Sequence, residues 1–290
     1  MLHNTPVVFL DQNIWSSIVK DTQVKDIILD KQSIGKILLT IYPTNLFETQ
    51  QIQANTSLKD NLIDVFKSVK IETPHFYTIF KDEVERLVNN KAFLNHYIHE
   101  IEDVPFVHGK VELVGGTIEQ QNELDEFMKN LTPFFYDVMF CKNTTSSFAD
   151  STRSTVLTEM QNDKDLFLSL KKPNDKKHKN FVILYFKNLC QNLDIRYFDG
   201  CDDNQIYDVA MQIPSYSVHI KLKCDLYNNS TGPIDRNDFI DIFFLSAVIP
   251  YCDIAVIEKK WCNVCKNLKF EQDYNVKLFS NTKELLKYIN

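Results

Sequence analysis

The chain opens with a compact apolar run, Val7–Leu10, followed at once by Asp11, Gln12 and Asn13. A short β-rich run that stops at polar residues predicts a strand. From near Ile14 the apolar residues Trp15, Ile18 and Val19 take helical spacing. Ile37–Tyr42 predicts a second strand, and Thr44 or Asn45 stands where it would cap a helix carrying Glu48. The far end shows the same alternation. Asp238–Val248 reads as a helix buried over most of its circumference, closed by Pro250. Ile254–Ile257 predicts a fully apolar strand, Trp261–Leu268 a helix and Val276–Phe279 another strand, and Ser280, Asn281 and Thr282 cap a last helix over Lys283–Ile289. Strands alternating with helices at both ends predict an α/β fold with a parallel sheet and crossover helices.

The stretch between, roughly Asn55 to Asp208, has another texture. Apolar residues recur three and four apart at Leu58, Leu62, Val65, Phe66 and Val69, at Phe80, Val84, Leu87 and Val88, at Leu124, Phe127, Met128 and Leu131, and at Phe181, Leu184, Tyr185 and Leu189. That spacing predicts amphipathic helices. The basic segment Lys171–Lys179 reads as a solvated loop. His96 and His99 read as neighbours on a helix surface, and Cys201, Asp202 and Asp203 as a solvated acidic loop.

Composition narrows the function. With 290 residues, 44% hydrophobic and 24% charged, the chain has globular proportions and length for a sizeable core. Only 6 glycines are present, and Gly115 and Gly116 are not followed by a phosphate-binding lysine, so a Walker A loop and a dinucleotide fingerprint are both missing. The longest apolar stretch, Phe239–Pro250, contains Asp241 and is too short to span a bilayer. The N-terminal run lacks the basic flank of a signal peptide, and the 7 cysteines show no disulfide-framework spacing, which together predict a cytoplasmic protein with reduced thiols. Cys262 and Cys265 form a C-x-x-C without the further ligands that zinc requires. Neither Ser146 and Ser147 nor Thr144 and Thr145 lie in a nucleophile elbow. A net charge of −7 argues against a non-specific nucleic-acid coat.

It argues less against a metal-dependent nuclease, whose carboxylates account for part of the charge. Ligands of open parallel sheets sit beyond the carboxyl ends of the strands. Asp11 follows the first predicted strand and Glu258 follows Ile254–Ile257; Asp238 and Asp241 share one face of their helix, with Asp235 a step before them, and Glu48 begins the helix after the second strand. Taken singly, Asp11 and Asp235 read as helix caps, Asp238 as compensation of the helix dipole and Glu258 as surface charge, while Glu48 alone is uninformative. Asp241 is harder to dismiss, because it interrupts an apolar run in which a lone charge is costly. Acids converging on one edge repel one another until a hard divalent cation offsets them. Trp15 and Trp261, a few residues beyond two of these acids, read as core packing, with base stacking as the alternative.

These segments also resemble a known family. Val7–Asn13 is similar to the opening strand of PIN-domain nucleases with its terminal aspartate. Asn237–Ala247 resembles the family's acidic helix, Tyr251–Trp261 the following strand and its acid, Val276–Asn281 with Glu284 the closing strand and helix, and Glu48 the helix-borne glutamate after the second strand. The likeness covers roughly residues 5–54 and 205–290. It implies a three-layer α/β/α PIN-like domain with a parallel sheet over residues 1–54 and 205–290, interrupted by a mainly helical insertion over 55–204. It also implies Mg²⁺ or Mn²⁺ held by Asp11, Glu48, Asp238, Asp241 and Glu258, with Asp11, Asp241 and Glu258 as the catalytic centre. The implied activity is endoribonuclease cleavage of RNA by water attack. Glu258 departs from the aspartate more usual at its position.

Biological settings that suit the resemblance include a toxin or a phage-defence effector, with an antitoxin or defence-system partner protein, and a homo-oligomer is compatible with it. The alternatives are a catalytically degenerate scaffold that binds RNA or protein, and a structure-directed DNA nuclease using the same acids.

Overall fold

The computed structural model describes residues 5–42, 45, 48–49, 56–74, 76–100, 161–169, 174–229 and 236–289. Its centre is a sheet of strands β1 (Val7–Leu10), β2 (Leu38–Ile41), β3 (Ile71–Glu72), β4 (His99–Glu100), β5 (Ile254–Val256) and β6 (Lys277–Phe279). They run in the order β4-β3-β2-β1-β5-β6, with β4 antiparallel at one edge and the other five parallel. The chain steps outward from β1 through β2 and β3, then returns to the other side of β1 to form β5. The reversal leaves a switch point between β1 and β5, the place where an open parallel sheet offers a crevice at its carboxyl edge.

Strand alternation sorts the core into two halves. Val8, Leu10, Leu39, Ile41, Ile254 and Val256 face one cluster, closed by Ile14, Trp15 and Ile18 with Leu62, Phe66 and Leu285. Val7, Phe9, Ile71, Ala255, Ile257 and Leu278 face the other. Helices therefore cover both faces, and continuous apolar strands such as Val7–Leu10 are what a sheet buried on both sides requires. The first helix spans Gln12–Ile18, beginning two residues before Ile14, because Asp11 takes extended backbone angles and its carbonyl accepts the first helical N–H groups, from Ile14 and Trp15. The last helix, Thr282–Ile289, is capped as the sequence suggests: Asn281 Oδ1 accepts from Glu284 N at 3.0 Å.

The segment read as an insertion over 55–204 is mainly helical where described, at Thr56–Phe66, Phe76–Val88, 161–169 and Asn174–Asn192. It does not stand apart from the sheet. It supplies β3 and β4, and Phe80, Phe167, Phe181 and Phe186 share one continuous core with Tyr216, Phe243 and Trp261. The boundary at residue 55 is thus not a structural one: two-residue strands carry no periodicity that would reveal them, and pairing to β2 makes them.

The expected loop at Lys171–Lys179 is helical from Asn174 onward, since lysine is a good helix former and Phe181, Val182 and Phe186 anchor the helix to the core. The idea of His96 and His99 on a helix surface is overturned. His96 lies outside any helix with Nδ1 2.9 Å from the Tyr251 carbonyl oxygen, and His99 is in β4. Asp202 is exposed as expected, but it also caps the helix Asp203–Gln212 in a reciprocal box with Gln205. The helix predicted around Leu124–Leu131, Ser146 and Ser147, Thr144 and Thr145, and Asp235 lie outside the described residues.

Glu83 joins the middle segment to the rest. Fully buried, it accepts from Ser215 N at 3.0 Å and from the Ser215 and Tyr251 hydroxyls. Burial pushes its carboxyl up to about 7, opposed by these donors. Removing the acceptor strands a helix-start N–H and two hydroxyls in the core. Glu83→Ala is therefore expected to lower stability by about 2–4 kcal/mol, with Glu83→Gln milder because its amide oxygen still accepts. Chemical denaturation of the two variants measures the difference.

Candidate functional site

The carboxyl edge of the sheet is built outward from β1. Asp11 N donates to the Val256 carbonyl at 2.9 Å, which carries the β1–β5 ladder one residue beyond the strands and seats Asp11 at the switch point. Its Oδ1 accepts from Gln12 N at 2.6 Å. Gln12 is buried, and its amide donates to Thr49 Oγ1 at 2.9 Å. Asn45, also buried, accepts from Tyr42 N at 2.9 Å and donates to Gln12 Oε1 at 3.4 Å. This amide network ties the end of β1 to Asn45 and Thr49, beyond β2, and Glu48 is the residue before Thr49. Asn45 works within the helical turn here, folding back onto Tyr42.

Asp241 reaches the same edge from the helix Arg236–Val248. Its Oδ2 accepts from Trp261 Nε1 at 2.5 Å. Asp238, one turn earlier, is paired with Lys260, which lies 4.8 Å from the centre of the Trp261 ring. Both contacts come from the helix Lys259–Asn267, which starts directly after Glu258. Glu258 itself is exposed and makes no capping hydrogen bond with its side chain.

Electrostatics register the gathering. Burial pushes the Asp241 carboxyl up to about 8, with Asp11, Glu48 and Glu258 adding to the rise and the Trp261 N–H opposing it. Burial likewise lifts Asp11 to about 6, opposed by Gln12 N–H, with Glu258 contributing. No lysine or arginine pairs with Asp11 or Asp241 among the described residues. Asp11, Glu48 and Glu258 thus all act on Asp241, and Glu258 on Asp11, while Asp238 is paired with Lys260. Among the described residues, no three His, Cys, Asp or Glu side chains come close enough to hold a metal ion.

Glu72, at the carboxyl end of β3, is a further acid that the sequence reading did not single out; burial pushes it up to about 7. Its alternation between Ile71 and Thr73 gave no signal. Gln12, next to Asp11 in an otherwise apolar helical stripe, was the legible sign of a polar network. Cys262 and Cys265 are buried, as are Cys190, Cys224 and Cys252, while Cys201 is half-buried; burial pushes the Cys262 and Cys265 thiols up. A cleft of about 520 Å³ between the end of the helix Asn174–Asn192 and the turn after it is lined by Cys190, Arg196 and Cys201 among others, and by none of the sheet-edge acids. No helix among the described residues is long and apolar enough to cross a membrane. No family model, curated protein or solved structure matches the chain.

The raised carboxyls make stability depend on pH. A carboxyl with an elevated folded-state pKa keeps a proton that the unfolded chain releases near pH 3.8, so stability is full below that pH and falls until the folded pKa is passed. Without divalent cations, thermal stability is expected to decline from pH 4 to pH 8. Asp11, Glu72 and Glu83 contribute to the same slope, and Asp241 extends it furthest. Asp241→Asn removes that upper part: it matches the wild type near pH 4 and melts higher at pH 8, by about 2–4 °C for each kcal/mol of repulsion relieved. Melting curves across this range, with chelator present, decide whether the carboxylate carries the effect.

Proposed function

We propose that the protein is a PIN-like, metal-dependent endoribonuclease that hydrolyses phosphodiester bonds at the carboxyl edge of its sheet. The observation that carries this reading is the pair Asp11 and Asp241, desolvated, with Asp11 repelling Asp241, and without a cationic partner among the described residues, at the switch point of a parallel sheet. Structural acids are normally paired; a pair left this way suits a mobile cation. The donors are all carboxylate oxygens, which fits Mg²⁺ or Mn²⁺ rather than zinc. The strand order with β1 central, the acidic helix and the acids after β1 and β5 support the PIN-like resemblance.

On this reading Asp11 and Asp241 hold the cation directly. Glu48 contributes from the opposite side of β1. Glu258, exposed and one methylene longer than aspartate, acts from the rim through water. Asp238, with Lys260 on it, orients its helix instead of ligating. A bound cation supplies an activated water and offsets the charge gathered on the scissile phosphate. RNA is the preferred substrate class, in a cytoplasmic setting that accommodates an antitoxin or defence-system partner.

A second reading, a degenerate scaffold that binds RNA or protein without cutting, is favoured by one fact: among the described residues no three acids come close enough to hold an ion together. Like charges without a counter-ion do stand apart, and cleavage assays separate the readings. With single-stranded RNA and Mn²⁺, Asp11→Asn and Asp241→Asn are each expected to lower kcat at least about 100-fold, and Glu258→Gln about 10-fold. Cleavage that persists in chelator, or in either Asn variant, would overturn the metal mechanism. RNA binding with no cleavage in any metal would favour the scaffold, and activity confined to structured DNA the DNA nuclease.

A further inference from the structure

Two adjacent residues, Lys260 and Trp261, engage the two acids of the neighbouring helix one turn apart: Lys260 pairs with Asp238, and Trp261 Nε1 donates to Asp241 Oδ2 at 2.5 Å. The contrast with Trp15 shows that burial alone does not require the second contact. Trp15 is fully buried, and its indole N–H has no hydrogen-bond partner among the described residues. Trp261 is also buried, at 2% exposure, yet its N–H is spent on the acid at the sheet's switch point. A buried indole usually finds an acceptor, but a carboxylate with three acidic neighbours is an unusual one.

We infer that Trp261 is a positioning residue for the acid site, its N–H locking the Asp241 carboxylate through Oδ2 and leaving Oδ1 for a divalent cation shared with Asp11. This rests on the reading of that edge as a metal site. The division of labour is physical. Lys260 cancels the charge of Asp238, so the site's repulsion falls on Asp241. Asp11, Glu48 and Glu258 all repel the Asp241 carboxylate. Trp261 provides its one hydrogen-bond donor among the described residues, and the bulk of the indole, packed in the larger core cluster, keeps that donor from yielding. Partners that orient a ligand in this way commonly account for a 10–100-fold share of metal affinity.

The test is Mn²⁺ titration of the full chain by calorimetry, comparing wild type, Trp261→Phe, and protein in which both tryptophans are replaced by 3-benzothienylalanine, which puts sulfur where the indole N–H was. The chain has 2 tryptophans, and because the Trp15 N–H is unpartnered among the described residues, the uniform replacement deletes a single hydrogen bond while keeping both ring shapes. It carries the test even if Trp261→Phe folds poorly. Both variants are expected to bind Mn²⁺ about 10–100-fold more weakly than wild type, and Trp261→Phe is expected to add no further loss in an Asp241→Asn background. Wild-type affinity in the benzothienyl protein would overturn the positioning role while leaving the metal site standing. If the wild type itself binds no Mn²⁺, the metal-site reading fails and takes this inference with it.

Discussion

Carboxylates brought together out of water repel, and the carboxyl edge of this sheet is organised around holding them in spite of it. Asp11 is the fixed point. Its backbone N–H extends the ladder from β1 to β5, so its position is set by two strands that are buried on both faces, not by its own side chain. Two sets of neutral partners surround it: the Trp261 hydrogen bond holds Asp241, and Gln12, Asn45 and Thr49 form a network at the end of β1. None of these is a cationic side chain, so the repulsion between Asp11 and Asp241 is left in place.

The layer beneath depends on buried polar groups that are almost all satisfied. The helix Pro214–Asn229 is buried nearly all round although it carries serine, histidine and lysine. His219 is held between the Tyr185 hydroxyl at 3.0 Å and the Ser246 hydroxyl at 3.1 Å, and burial keeps its imidazole well below the usual range, hence neutral. Lys223 reaches Asp163 at 2.8 Å and lies 4.0 Å from the centre of the Tyr185 ring. Tyr185 and Asp163 come from the middle segment, as does Glu83. Such groups stabilise a fold only when every partner is present, so the middle segment belongs to the domain's folding unit. The helix that carries Asp241 packs against this layer, Phe243 meeting Phe76 and His219 edge-on.

The sequence by itself determined what rests on local pattern. The strands at β1, β2, β5 and β6, the buried acidic helix and the capped terminal helix were all legible, because strand alternation, helical spacing and cap chemistry act within a few residues. So was the selection of Asp11 and Asp241, since an acid after an apolar strand or inside an apolar helix is costly wherever it ends up. Tertiary structure alone decided the rest. β3 and β4 are two residues long and exist only through pairing with a neighbour. The helix Pro214–Asn229 shows no amphipathic pattern, because its polar residues are satisfied by partners far away in the chain. That Asp238 is neutralised by Lys260 while Asp241 receives only an indole N–H follows from how one helix settles against another. Spacing in sequence places both acids on one face, but it carries no information about which basic or neutral side chain a second helix will set against each.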